Sequence, residues 1–178
     1  MATKQQTIDI VANLFCQGTK KTLDKSTGKV LKYSNTIQAI PKVSLRPDIG
    51  CFVQFTGDYS GLVVMNFSGD AAMELYRSYM TTMGMPADAL ASDFTSAEVV
   101  DTIGEMTNQI MGRSLRMVES AYDLTSYMGQ PKAIALNSAI TLTPDSEFQE
   151  SRRITYSLET YRFYMEISLE RTEFITMK

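Results

Sequence analysis

The 178-residue sequence contains no histidine, and this absence excludes several kinds of active site. A Ser-His or Cys-His nucleophile system needs an imidazole, which is also the commonest side chain that binds transition metals. The two cysteines, Cys16 and Cys51, lie too far apart for a zinc motif. No glycine-rich phosphate-binding loop is present. An enzyme with this sequence would use carboxylates, amides, hydroxyls and water, so we expect neither a metal nor a cofactor of its own.

Long apolar runs and an excess of positive charge are also missing. No apolar segment approaches the length of a membrane span, and the first residues lack the pattern of a signal peptide. The net charge of -3 disfavours sequence-independent binding to nucleic acid. Both cysteines lie among apolar residues, which is typical of buried free thiols in a reducing compartment. We therefore expect a cytoplasmic protein that binds neither membranes nor nucleic acid.

The hydrophobic pattern predicts helices combined with antiparallel strands in a single domain over residues 1–178. Helices are expected over residues 8–18, from 68–70 to Gly84, and over 95–122. Alternating apolar residues over 51–55 and a β-rich run over 62–67 predict one hairpin, and alternation over 154–158 and 161–169 predicts a closing hairpin. Further strands are expected at 36–43 and 131–142. Because no parallel strand-helix-strand unit is evident, the order favours an α+β fold, with helices packed on an antiparallel sheet in two pseudo-repeated helix-plus-strands halves.

A basic segment and a polar segment interrupt this pattern. Residues 19–48 contain a cluster of lysines around a Ser26-Thr27-Gly28 turn, which predicts a solvent-exposed strand or hairpin insertion; they are Lys20, Lys21, Lys25, Lys29 and Lys32. A surface for an acidic partner is the alternative interpretation. Residues 143–151 are predicted to form a polar loop.

The helix predicted over residues 95–122 combines an apolar stripe with an unusual polar face. Thr95 and Glu98 have the spacing of a capping box. Apolar residues at steps of four, three and four form the stripe, namely Val99, Ile103, Met106 and Ile110. The opposite face carries two acids, an amide and a glycine, namely Asp101, Glu105, Asn108 and Gly112.

Two details of this face favour a contact surface. Gly104 and Gly112 lie inside the helix, where each lowers helix stability by about 1 kcal/mol relative to alanine. Glycine at these positions makes sense if another backbone or domain must come close. No lysine follows Asp101 or Glu105 at the fourth position, so both acids are available to a partner. The alternative is an ordinary solvent-exposed helix face, which also carries polar residues opposite its apolar stripe.

The order of these residues resembles the signature of the CheC/CheX/FliY chemotaxis phosphatases. In that signature an Asp or Ser precedes Glu-x-x-Asn, a glycine follows one turn later, and a proline begins the next strand. The matching positions here are Asp101, Glu105, Asn108, Gly112 and Pro131. The segment 55–80 and the closing hairpin are also similar to the family, so the resemblance extends from about residue 51 to the C-terminus. The chain is most similar to the CheX type, because only one helix carries the motif: the first helix has Asn13 but Ile10 in place of a glutamate.

The resemblance implies hydrolysis of the acyl phosphate on the aspartate of a CheY-like receiver domain, in chemotaxis or another two-component signalling pathway. Asn108 would orient the attacking water and Glu105 would pair with a receiver lysine, while Asp101 and Gly112 would assist docking and Pro131 would have a structural role. The Mg²⁺ ion would be held by the receiver. A homodimer is also implied. The alternative is a non-catalytic receiver-binding, flagellar-switch or signalling scaffold domain with the same fold.

Overall fold

The computed structural model describes residues 6–143 and 149–170, in which three helices pack against an antiparallel sheet. The helices are α1 (Thr7–Thr27), α2 (Gly69–Thr82) and α3 (Ala97–Tyr122), with one 3₁₀ turn at Ala87–Ala89. The strands are β1 (Leu31–Tyr33), β2 (Gln38–Ile40), β3 (Ser44–Leu45), β4 (Ile49–Gly57), β5 (Gly61–Phe67), β6 (Ser126–Met128), β7 (Lys132–Ala135), β8 (Ile140–Thr141), β9 (Gln149–Leu158) and β10 (Tyr161–Glu170). The predicted α+β class is confirmed.

The two predicted hairpins lie side by side at the centre of the sheet. The strand order is β1-β9-β10-β5-β4-β6, with β2 also paired to β9 and β7 also paired to β4. Strand β10 is antiparallel to β5, with Met165 opposite Met65, so each half of the chain contributes one hairpin to a continuous sheet. The edge beyond β4 is formed by β6 and β7, which follow α3 in sequence.

The main hydrophobic core fills the space between the helices and the sheet. Alternate residues of β5, such as Val63, Met65 and Phe67, belong to this core. Phe163 stacks on Phe67 at 5.1 Å and on Tyr156 at 5.0 Å between ring centroids. Such aromatic pairs add about 0.5–1.5 kcal/mol each beyond the area that they bury. The platform on which α3 lies is therefore densely packed.

A second, smaller cluster covers the opposite face of the sheet. It consists of Val43, Leu45, Leu62 and Val64 and lies under the two-stranded β3–β8 sheet. Glu166, whose side chain is fully buried, accepts a hydrogen bond from the Ser44 N–H at 3.0 Å and pairs with Arg153 at 2.9 Å. These contacts attach the segment around β3 to the sheet.

Helix α1 is longer than the sequence pattern indicates. It continues through Gly18 to Thr27 and ends at Gly28, which has the left-handed φ of 67°. A Cβ on Gly18 would lie 2.3 Å from Ser114 Oγ of α3, so this glycine allows two helices to approach and does not end the helix. The prediction of a hairpin insertion over residues 19–48 is therefore wrong for residues 19–27.

The lysines of this segment are also less uniformly exposed than expected. Lys20 pairs with Asp24 at 2.8 Å within α1, and Lys29 pairs with Glu74 of α2. Lys29 also lies 3.2 Å from Glu159, and the hydrogen bond to Glu74 is the main cause that raises the pKa of Lys29. Part of the basic segment is thus neutralised within the chain.

Other predicted elements are present with changed bounds. The strand expected over 36–43 is reduced to β2, with β3 following it, and the strand expected over 131–142 is divided into β7 and β8. The polar loop predicted over 143–151 ends earlier, because β9 begins at Gln149; residues 144–148 lie outside the described residues. Cys16 and Cys51 are buried free thiols, as expected. In the described part of the chain, no helix has the length and apolar content needed to cross a bilayer.

Candidate functional site

Helix α3 begins slightly later than predicted and is held at its N-terminus by a different set of bonds. Its N-cap is Ser96, whose side chain accepts a backbone N–H of the first turn, whereas Thr95 donates to Asp93 at 2.8 Å. Glu98 accepts a hydrogen bond from the Tyr76 hydroxyl of α2. Burial and this hydrogen bond raise the pKa of Tyr76. The predicted capping box is wrong, and Glu98 instead joins α3 to α2.

The predicted apolar stripe of α3 faces the core. Val99, Ile103 and Ile110 are at most 1% exposed and Met106 is 3% exposed. Since these residues fix the rotation of the helix, the opposite face is directed away from the sheet. Asp101 and Glu105 are exposed, and Asn108 and Gly112 are half-buried.

The acid and the amide of the predicted site differ in their hydrogen bonds. Glu105 Oε1 accepts a hydrogen bond from Gln109 Nε2 at 3.1 Å, one turn further along the same helix. Gln109 Nε2 also lies 3.5 Å from the Tyr79 hydroxyl, so the glutamine links the carboxylate to α2. Among residues 6–143 and 149–170, the side chains of Asn108 and Asp101 have no hydrogen-bond partner. The amide of Asn108 is therefore available to an external group.

A shallow cleft of about 200 Å³ brings most of the predicted site together. Asp101, Glu105 and Asn108 line one side of it, and Pro131 lies opposite them with Ala133 of β7. A Cβ on Gly104 would lie 3.8 Å from the Ala133 Cβ, which is ordinary van der Waals contact. The predicted residue Gly112 lies outside this cleft. It lines an adjacent cleft of about 710 Å³ that also includes Asn108.

The adjacent cleft contains charged residues that the sequence pattern did not single out. Arg113 and Arg116 of α3 and Lys25 of α1 line it, together with Tyr79 and Met83 from α2 and its C-terminus. The sequence feature that could have indicated this cleft is the pair of arginines, Arg113 and Arg116, within about one turn of Gly112. The predicted hairpin insertion over residues 19–48 does not place Lys25 beside these arginines, because it ends α1 at residue 18.

The arrangement limits the chemistry of the site. Within the described residues, no group of three or more Cys, Asp or Glu side chains could hold a metal ion. The cleft offers a carboxylate and, one turn later, a carboxamide with one acceptor oxygen and two donor hydrogens. Such a pair can orient a water molecule and bind a cation on a partner. The residues that line the cleft include no serine, threonine, cysteine or lysine.

The chain is similar to known proteins in sequence family and in fold. Residues 2–178 match the family described as "Protein of unknown function (DUF3334)". The chain belongs to this family. A search among curated proteins gave no match for this DUF3334 chain.

Solved structures show which fold the DUF3334 chain shares. A chemotaxis protein CheX from Desulfovibrio desulfuricans has a TM-score of 0.74 at 19% identity, covering 90% of this chain and 99% of that one. The CheX of a CheX-CheY-BeF3-Mg²⁺ complex from Borrelia burgdorferi has a TM-score of 0.68 at 13% identity, covering 90% and 97%. FliY from Thermotoga maritima has a TM-score of 0.66 at 14% identity, covering 93% and 91%. The expected likeness to the CheC/CheX/FliY proteins is thus confirmed for the fold.

Proposed function

We propose that this protein removes the phosphoryl group from the aspartyl phosphate of a CheY-like receiver domain. The proposal is supported by an exposed carboxylate, Glu105, close to the amide of Asn108, which has no hydrogen-bond partner in the described chain. The two lie one turn apart beside Pro131 in one open cleft. The fold shared with a CheX that was solved together with CheY, BeF3 and Mg²⁺ supports the class of partner.

The reaction needs little from this chain because an acyl phosphate is already reactive. Water attacks phosphorus in line, and the bond between phosphorus and the aspartyl oxygen breaks. The products are inorganic phosphate and the free aspartate carboxylate. The Asn108 carbonyl oxygen orients the water by accepting a hydrogen bond from it, and the amide N–H groups can donate to a phosphoryl oxygen. The Mg²⁺ ion that neutralises phosphoryl charge belongs to the receiver.

Glu105 serves to dock the receiver. Its carboxylate is exposed and is held by Gln109, so it meets a partner lysine with little loss of side-chain freedom. Hydrogen bonds to charged groups contribute about 1.5–3 kcal/mol. Asp101, one turn earlier, adds a second negative charge on the same side. A lysine bound there fixes the receiver relative to Asn108.

The test is phosphate release from phosphorylated receivers of the source organism, with Mg²⁺, by the wild-type protein and by Asn108→Ala. We expect the wild type to accelerate release and Asn108→Ala to be slower by about 100-fold, as is typical when an oriented polar group is removed from an active site. Asn13→Ala is the matched control, because Asn13 is an exposed asparagine on α1. It should release phosphate at the wild-type rate.

Two results would contradict the proposal in different ways. If Asn108→Ala is as fast as the wild type, the catalytic role of Asn108 is wrong. If the wild type binds the receiver without accelerating release, the protein is a non-catalytic receiver-binding or scaffold domain. The proposed homodimer is tested separately, by light scattering of the purified protein.

A further inference from the structure

A cationic cleft adjoins the proposed site on the C-terminal side of Asn108. It lies between the C-terminal halves of α1 and α2 and the middle of α3, and its volume is about 710 Å³. Lys25, Arg113 and Arg116 line it, and no Asp or Glu does. In residues 6–143 and 149–170 none of these three cations forms an ion pair or a side-chain hydrogen bond. The cleft thus carries positive charge that the described chain does not neutralise.

Arg116 is directed toward the proposed site. The nearest side-chain atom to a Cβ built on Gly112 is Arg116 Nη1, at 3.5 Å. Gly112 precedes Arg116 by one turn, so the guanidinium lies back along α3 toward Asn108. A Cβ at Gly112 would be in ordinary van der Waals contact with this guanidinium. Thr22 and Ser26 of α1 also line the cleft, and their hydroxyl oxygens are buried without a partner in the described chain.

The outer face of α3 therefore has opposite charges on the two sides of Asn108. Asp101 and Glu105 lie before it and Arg116 follows it on the same face, whereas Arg113 lies on the flank of the helix that is closer to α1. At 1.5 Å per residue, Asp101 and Arg116 are about 22 Å apart along the helix. A protein interface of ordinary size covers about 800 Å² on each partner, which is a patch about 30 Å across. A partner centred on Asn108 consequently covers both charged ends.

We propose that Lys25, Arg113 and Arg116 form a cationic docking surface for acidic side chains that surround the aspartyl phosphate of the receiver. This inference rests on the proposed function for the identity of the partner. A receiver that holds Mg²⁺ beside its phosphorylated aspartate must do so with carboxylates, so the region around its reacting group is rich in acids. The oxygens of these carboxylates that do not bind Mg²⁺ can accept charge-assisted hydrogen bonds from an arginine. Opposite charges on α3 then allow only one orientation of the receiver.

The experiment measures binding without turnover. The probe is a CheY-like receiver activated with Mg²⁺ and beryllium fluoride, titrated into the intact protein by calorimetry at several salt concentrations. We expect the Arg113→Glu/Arg116→Glu variant to bind at least about 10-fold more weakly and with a different dependence on salt. Arg162→Glu is the control, because Arg162 is an exposed arginine on β10, and it should bind as the wild type does. Lys25→Glu, at an exposed position of α1, gives a second test if the double variant does not fold.

The outcomes separate this inference from the proposed function. If the arginine variant binds the activated receiver as tightly as the wild type, the docking surface is wrong, whatever the rate of phosphate release. If the wild type releases no phosphate but its binding depends on the arginines, the proposed activity fails and the docking surface stands. If the variant changes the oligomeric state and leaves receiver binding unchanged, the surface joins two copies of this chain and the inference is overturned. Failure of every activated receiver to bind the wild type overturns it as well.

Discussion

Replacing Gly112 by alanine is expected to stabilise the protein and to reduce its activity. Glycine inside a helix costs about 1 kcal/mol relative to alanine, and Gly112 lies in the interior of α3. The nearest side-chain atom to an added Cβ is Arg116 Nη1 at 3.5 Å, so the methyl group displaces no packed atom. The free energy of unfolding should rise by about 1 kcal/mol, and the melting temperature by about 2–4 °C for a domain of this size.

The expected loss of activity follows from the position of Gly112 on the proposed contact surface. A methyl group there occupies the space between Asn108 and the Arg116 guanidinium, where the receiver must come close. A displacement of about 1 Å at a reacting centre can cost about 100-fold in rate, so even a fraction of that shift should reduce phosphate release measurably.

Gly18 is the matched control for this prediction. A Cβ on Gly18 would lie 2.3 Å from Ser114 Oγ and 3.1 Å from Ser114 Cα, so Gly18→Ala must push α1 and α3 apart. Overpacking of this kind costs about 1–3 kcal/mol. Urea unfolding followed by circular dichroism compares both variants with the wild type. A destabilised Gly112→Ala would refute the expected gain in stability, and a stabilised Gly112→Ala with wild-type phosphate release would refute the functional role of Gly112.

Four further predictions concern docking, thiol reactivity, the pH dependence of stability and the buried ion pair. Glu105→Lys should weaken binding of an activated receiver by at least about 10-fold in calorimetry, and unchanged binding would exclude its docking role. Burial raises the pKa of Cys16 and of Cys51 to about 11, so neither thiol should react with Ellman's reagent at pH 8 before unfolding. The folded thiols hold their protons more tightly than the unfolded ones, so their contribution to stability is complete below the ordinary pKa of 9.0 and is lost as the pH rises toward 11. Urea midpoints that do not change from pH 8 to 11 would contradict this expectation. Arg153→Ala leaves the fully buried Glu166 without its cation and should cost about 3–5 kcal/mol in urea unfolding, whereas a loss below 1 kcal/mol would show that Glu166 is satisfied otherwise.

The long helix and the two central hairpins were predictable because their signals are local. The apolar stripe of α3 and the alternation in β4 and β9 are periodic over many residues, and each of these elements buries the face that the period indicates. Strand β5 and the C-terminal half of β10 are instead buried on both faces. Helix ends depend on single side chains, and this explains the shift of the N-cap from Thr95 to Ser96. Both residues are good caps, but Thr95 donates hydrogen bonds to Asp93 and Ser96 takes the N-cap position.

The misassigned segments depend on contacts between residues distant in sequence. Gly18 reads as a helix terminator because glycine usually disfavours helix, but Ser114 of α3 leaves room only for glycine at this crossing. The short strands around Ser44 depend on Glu166 and Asn66, which bond to backbone groups of that segment from the far end of the chain and from β5. The sequence of the segment itself does not indicate those partners.

Only part of the candidate site was predictable, because helical spacing brings some of its residues together and tertiary contacts bring the others. Asp101, Glu105 and Asn108 share a face because helical spacing places them one turn apart. Pro131 joins them only because β7 pairs with β4 and passes beside α3, which is a tertiary arrangement. The association of Lys25 with the arginines of α3 likewise requires the full length of α1.

The most direct test of the account is the rate of dephosphorylation at saturating concentrations of a phosphorylated receiver, compared between the wild type and Asn108→Ala. Because Asn108 is proposed to orient water and Glu105 to bind the partner, we expect Asn108→Ala to lower kcat by about 100-fold while KM stays close to the wild-type value. An Asn108→Ala protein with the kcat of the wild type would contradict the central claim.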